Sequence, residues 1–379
     1  MIRLTIPSIE EDDLQAVRNA LASGYLVQGA EVSAFEQSIA EKTGVRHGIA
    51  VSNCTAALHL ALLALDVRPG DLVPVTAYSW ISTANVIELC NAQPVFLDIE
   101  PDTFNLDPER LAETLVSLMS TASVARRVKA VLAADIFGQM ADFTAIQEVA
   151  RRYDLPVVED AACSLGASLD GIPAGSWGVM GCFSFHPRKA VTTGEGGVVT
   201  TNDDRLARTV RALRNHGMDP EAPAPDFTMP GFNYRMTEFQ AALGRTQLAK
   251  LGRHLESRRR LAANYNRLLH GTAVEIPAAK RGNETHVYQS YVVLLPHRAT
   301  QKRTVLIQTL REQGIETTIG TWHMPMTRYF QNRYGFRKGD FPVADGLFER
   351  ALTLPLFETM VPEQQDEVVR KLLKAIETI

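Results

Sequence analysis

The chain has 379 residues, 45% apolar and 22% charged, with a formal net charge of −4. Such a composition excludes a disordered or fibrous chain, and without surplus positive charge a nucleic-acid binder is not expected. At ~150 residues per domain the length suggests two domains. The longest apolar stretch, 56–65, is interrupted by His59 and falls well short of the roughly 20 residues that span a bilayer. The N-terminus MIRLTIPSIEEDD has no basic region leading into an apolar core, so a cytoplasmic protein is expected. Cys54, Cys90, Cys163 and Cys182 stand apart from one another without Cys/His clustering, which points to free thiols and to no metal site.

In chain order, short apolar runs at 45–51, 72–75, 94–97, 128–133, 156–158, 181–185 and 198–200 read as strands. Between them, 55–65, 82–90, 108–119 and 143–153 carry helical periodicity. Strands alternating with helices predict an α/β layer with parallel pairing and a sheet buried on both faces. Asp203 is placed to cap a helix over 205–215, and Pro220, Pro223, Pro225 and Pro230 then mark an irregular excursion. A single long helix is expected over 237–269, with Arg258, Arg259 and Arg260 on a solvated face. The remainder offers a strand at 290–295, a helix at 301–313 and a final helix at 362–379. It reads as a smaller α+β lobe, with the boundary between 249 and 250.

Ligands of such sheets gather outside the carboxyl ends of the strands, so the residues just after each strand matter most. Ser52-Asn53-Cys54-Thr55 delivers a strand into a helix start, which suits an anion such as phosphate or is an ordinary cap by Ser52 or Thr55. Glu159-Asp160 ends another strand, and a carboxylate buried there needs a cationic partner or is an ordinary salt-bridged acid. Lys189 sits in the exit loop of a third strand, where Pro187 forbids extension and a Gly-rich turn follows. Apolar surroundings would lower the pKa of this amine and make it a nucleophile able to form a Schiff base.

The segment FSFHPRKAVTTGEGG (183–197) resembles the Schiff-base signature of the DegT/DnrJ/EryC1/StrS family of pyridoxal-phosphate-dependent sugar aminotransferases. SNCTAALHLALLAL is similar to the family's phosphate helix, TAYSWISTANVI to its ring-stacking loop and VVEDAACSLGA to its pyridinium-binding strand. GFNYRMTEFQAALGRTQL resembles the segment that reaches into a neighbouring subunit, and GDFPVADGLFERALTLPLF the small-domain signature. The match runs from about Tyr25 to Leu356. It implies fold type I, with a large domain (1–249) around a mixed, mostly parallel seven-stranded sheet and a small C-terminal α+β domain (250–379).

The resemblance also implies roles. Lys189 would bear the pyridoxal 5′-phosphate and carry the proton, while Asp160 would pair with the pyridine nitrogen. Trp80 would stack on the ring, with Cys163 near its phenolic oxygen. Cys54, Thr55 and Ser184 would hold the phosphate, with Asn233 contributed by the partner chain of a homodimer. Tyr234, Arg235, Trp322 and His323 are candidates for substrate contact. The implied reaction passes an amino group from L-glutamate to a nucleoside-diphosphate keto-sugar. A keto-cyclitol acceptor and a non-catalytic cofactor-binding regulator are the alternatives. Relatives that dehydrate 3-hydroxy sugars carry His where this chain has Lys189. One departure stands out: Cys163 occupies a position usually held by Gln or His. His186, although near Lys189, is expected to pack, and Glu195 to serve the turn.

Overall fold

Short runs such as VLAA and VVED become strands because every residue in them is buried, and the ladder satisfies their backbone groups there. The computed structural model describes residues 1–276 and 283–378. Its central sheet comprises β1 (His47–Val51), β2 (Leu72–Thr76), β3 (Gln93–Leu97), β4 (Val131–Ala134), β5 (Val157–Asp160), β6 (Met180–Ser184) and β7 (Gly197–Thr201). The order across the sheet is β1-β7-β6-β5-β4-β2-β3.

Six of these strands run in one direction, and β7 lies antiparallel to both neighbours, β1 and β6. The sheet is thus mixed and mostly parallel, as the family resemblance implies. Only the loop 185–196 joins β6 to β7, and without a crossover element the chain returns antiparallel. The β5–β6 crossover likewise holds a small two-stranded ribbon, Ser168–Leu169 with Ile172–Pro173, in place of a helix.

Two apolar clusters pack on the sheet. One is built around the almost wholly buried helix Cys54–Ala64, and the other around Phe35, Phe143, Phe183 and Phe185. A third joins Leu261, Tyr265, Tyr291, Leu352 and Leu372 around the strands β8 (Tyr291–Leu294), β9 (Thr318–Ile319) and β10 (Ala351–Leu354). It also includes Ile2, which bridges to Ile315, so the N-terminus packs with the C-terminal part of the chain.

The single helix expected over 237–269 is two helices, Glu238–Ala249 and Leu251–Leu269, meeting at Lys250. Lys250 Nζ reaches Asp12 and Asp13 at 2.6 and 2.7 Å, so this junction is tied to the N-terminal helix Glu11–Ala22. The Arg258–Arg260 cluster is not a solvated face as a whole. Arg258 is 1% exposed and paired with Glu358 at 2.6 Å. Of the expected final helix, Pro362–Thr378 is helical, and Ile379 lies outside the described residues. Among the described residues no helix is long and apolar enough to cross a membrane.

Candidate active site

A cavity of about 760 Å³ opens at the carboxyl ends of the parallel strands. Its floor is set by the turn after β1. Asn53 caps the Cys54–Ala64 helix, its Oδ1 accepting from Ala56 N at 2.8 Å, so the cap is neither Ser52 nor Thr55. The N–H groups of Cys54 and Thr55, in the first turn, have no acceptor within the helix and stand at the positive end of its dipole. Cys54, Thr55 and Ser184 line the cavity beside them. Gly197 makes the close approach possible: a Cβ there would lie 2.5 Å from the Asn53 carbonyl and 2.8 Å from Cys54 N.

Lys189, Asp160, Cys163, Trp80 and Tyr234 line the same space. Lys189 Nζ stands 3.0 Å from Cys163 Sγ. The expected lowering of its pKa is overturned. Burial does push it down, but contact with Cys163 and the proximity of Cys54 and Asp160 outweigh burial and raise it. Asp160 is 5% exposed, and burial raises its carboxyl pKa. Its Oδ2 accepts from Thr83 Oγ1 at 2.7 Å and its Oδ1 from Ala162 N at 3.3 Å, which partly offsets that cost. Trp80 is 59% exposed at the mouth.

His186, expected to pack, instead lines the cavity with its side chain 44% exposed, and its Nδ1 accepts from Arg188 N. It lies two residues beyond the end of β6, in the exit loop, with its Nε2 3.9 Å from Glu195 Oε1. The Glu195 carbonyl accepts from Thr193 Oγ1 and Gln240 Nε2 within the turn.

Three residues expected at the substrate do not line this cavity, Arg235, Trp322 and His323; nor does Asn233, which is expected to serve a partner's site. Asn233 is exposed and bridges Asn215, while Arg235 Nη1 donates to the Asn215 side chain. Trp322 and His323 pair as a short strand with Ser79 and Tyr78. His323 is 2% exposed, its Nε2 3.0 Å from Asp345 Oδ1 and its ring against Phe341 and Phe348. Buried in this way, it is removed from direct contact with a ligand in the cavity.

Ser79, Thr83 and Gln289 were not singled out from sequence. Ser79, in the short strand Tyr78–Ser79, and Thr83, in the first turn of the helix Ser82–Leu89, share a hydrogen bond at 3.0 Å. Gln289 arrives from a distant segment and had no local signal.

The profile of the DegT/DnrJ/EryC1/StrS aminotransferase family matches residues 7–373. The chain belongs to this family. This DegT-family aminotransferase is 39% identical over 320 residues to GDP-perosamine synthase of Caulobacter vibrioides, covering 83% of each chain. It is 35% identical over 371 residues to the pleiotropic regulatory protein of Geobacillus stearothermophilus, covering 96% of this chain and 94% of the relative. Among solved structures, Spr1654 of Streptococcus pneumoniae in its PLP form superposes with a TM-score of 0.91 at 26% identity, covering 99% and 98% of the two chains. The family's cofactor is pyridoxal 5′-phosphate.

Proposed function

We propose that this aminotransferase moves an amino group from L-glutamate to a keto-sugar carried on a nucleoside diphosphate. The observation that carries the reading is the convergence, in one cavity, of a lysine amine, a buried carboxyl and an open helix N-terminus. The donor set fits the cofactor. The helix start with Thr55 and Ser184 suits a phosphate, and the Asp160 carboxylate, whose charge burial disfavours, is the group a protonated ring nitrogen would pair with. When bound, the pyridoxal group supplies an aldehyde for amines to condense with and a ring that accepts electrons.

The protein's own residues do the rest. Lys189 Nζ gives up its proton before it can act as a nucleophile, and afterwards carries a proton between carbon positions of the substrate. Asp160, fixed by Thr83 and Ala162, holds a proton on the ring nitrogen. Trp80, at the mouth, would stack on the ring and shield it from water. Cys163, 3.0 Å from the amine, replaces a larger amide or imidazole and so leaves room there. Asn233, exposed and outside its own protomer's cavity, is assigned to the phosphate of the partner's site in a homodimer. Tyr234 is assigned to substrate contact. The similarity to GDP-perosamine synthase supports a nucleotide-linked sugar as acceptor.

The test is an absorbance spectrum of the cofactor-loaded protein before and after glutamate, followed by a panel of nucleotide-linked keto-sugars. Conversion to the pyridoxamine form, reversed by one of those sugars, is the expected result. Lys189→Ala should bind cofactor but complete neither half-reaction. A parent protein whose bound cofactor glutamate never converts would favour binding without turnover, in line with the relative named a regulatory protein.

A further inference from the structure

Lys189 lies in a loop outside the sheet ladder, and its position depends on what grips the neighbouring backbone. Gln289, just before β8, reaches across to it. Its Oε1 accepts from Ala190 N at 3.2 Å, and its Nε2 donates to the Arg188 carbonyl at 2.6 Å. One side-chain amide therefore satisfies backbone groups on both sides of Lys189. The Ala190 carbonyl is held as well, since His254 Nδ1, on a ring 2% exposed, donates to it at 2.9 Å.

Gln289 is itself fixed. The buried Arg258 donates through Nη1 to the carbonyls of Tyr288 and Gln289 at 3.2 and 3.1 Å, and through Nε to Glu358 at 2.6 Å. An arginine 1% exposed that spends its donors on two consecutive carbonyls holds them in one place. His254, Arg258, Gln289 and Glu358 all come from the last third of the chain, whereas Lys189 belongs to the β6–β7 loop. A nucleophile must be kept within a fraction of an ångström of its working geometry, and a Gly- and Pro-rich loop cannot do so unaided.

We propose that Gln289 is a positioning residue for Lys189, clamping the backbone at Arg188 and Ala190, and that Arg258 holds the clamp. The inference rests on Lys189 as the cofactor-bearing amine. It is read in two ways: hydrogen exchange of the peptide containing Ala190 in cofactor-free full-length protein, and the rate at which added pyridoxal phosphate becomes attached to the lysine, followed by absorbance.

In Gln289→Ala, exchange should rise and attachment slow, each about tenfold, the scale set by two lost hydrogen bonds. The melting temperature should stay within a few degrees of the parent. Gln289→Glu keeps an acceptor for Ala190 N but sets a carboxylate against the Arg188 carbonyl. Exchange should then return toward the parent value while attachment stays slow. Parent-like exchange and attachment in Gln289→Ala would overturn the proposal, as would a loss of stability with neither rate changed. Should Gln289→Ala lose its fold, Gln289→Asn, whose shorter amide cannot reach both groups, is read against the same outcomes. Exchange does not depend on the cofactor: were Lys189 not the cofactor-bearing amine, attachment would persist in Lys189→Ala, while the exchange difference at Ala190 would remain.

Discussion

At the cavity floor, two buried acids stand near enough to repel each other. Asp135 and Glu159 end neighbouring strands and are 2% and 0% exposed. Burial and mutual repulsion push Asp135 well above the usual carboxyl range, and burial brings Glu159 up to about 7. The pair keeps a proton that the unfolded chain releases from a value of 4.5 for Glu159 upward. A carboxyl whose folded pKa is raised stabilises the fold below its unfolded value and loses that stabilisation as pH rises to its folded one. From Glu159, stability should thus fall between about pH 4.5 and 7, by on the order of 3 kcal/mol. Glu159→Gln replaces the titrating carboxyl with a neutral amide of the same size and should remove that component. Urea midpoints measured across the window for parent and variant check it, and superimposable pH profiles would contradict the assignment. Glu159 does more than share a proton: its carboxyl oxygens accept from Gly175 N at 2.6 Å and Trp177 N at 3.2 Å. Of the two acids that sequence placed side by side at the end of β5, one faces the cavity and the other ties down the following loop.

At the scale of elements, the site depends on β7 passing close to the start of the Cys54–Ala64 helix. Gly197 is there because the Asn53 carbonyl leaves no room for a side chain. Gly197→Ala should displace either the strand or the turn, costing about 1–3 kcal/mol and weakening cofactor retention about tenfold or more. Thermal melting, together with the cofactor retained after gel filtration, reads both. Unchanged retention would show that the turn does not hold the phosphate. The strand-end acids divide in a similar way. Asp98, after β3, accepts from Val343 N and Ala344 N at 2.9 Å each and caps the helix Pro342–Arg350, so it serves the fold and not the cavity. In the same way the His323 ring, expected near substrate, is built into the packing of that helix through Asp345.

At the scale of the molecule, the segment 215–237 and the run Tyr25-Leu26-Val27 lie together, joined by the bridge between Val27 and Thr237. Tyr25 is 77% exposed and Phe227 58%, and the proposed homodimer would place a second copy of the chain on this apolar surface. Asn233 sits among them, outside the cavity of its own protomer. With composite sites, a Lys189→Ala chain and an Asn233→Ala chain should complement each other. Each mixed dimer then has one intact and one doubly altered site, and random pairing restores about a quarter of parent turnover. Mixing purified variants under conditions that exchange subunits, and assaying against each alone, checks this. Activity no greater than the average of the two separate variants would place Asn233 outside the partner's site.

Apolar runs bounded by turn residues were enough to locate all seven strands and to select the strand ends holding Lys189, Asp160 and Thr55, because burial of short continuous runs is written locally. The motifs around Lys189 were likewise contiguous, so family membership was legible before any fold was seen. What a linear reading missed depends on neighbours far apart in the chain. The break at Lys250 follows from its contact with Asp12 and Asp13, and the burial of His323 from a helix beginning some twenty residues later. The raised pKa of Lys189 is of the same kind. Sequence supplied the desolvation, but the opposing groups, Cys163, Cys54 and Asp160, come from other strand ends, and only the folded sheet sets them against the amine.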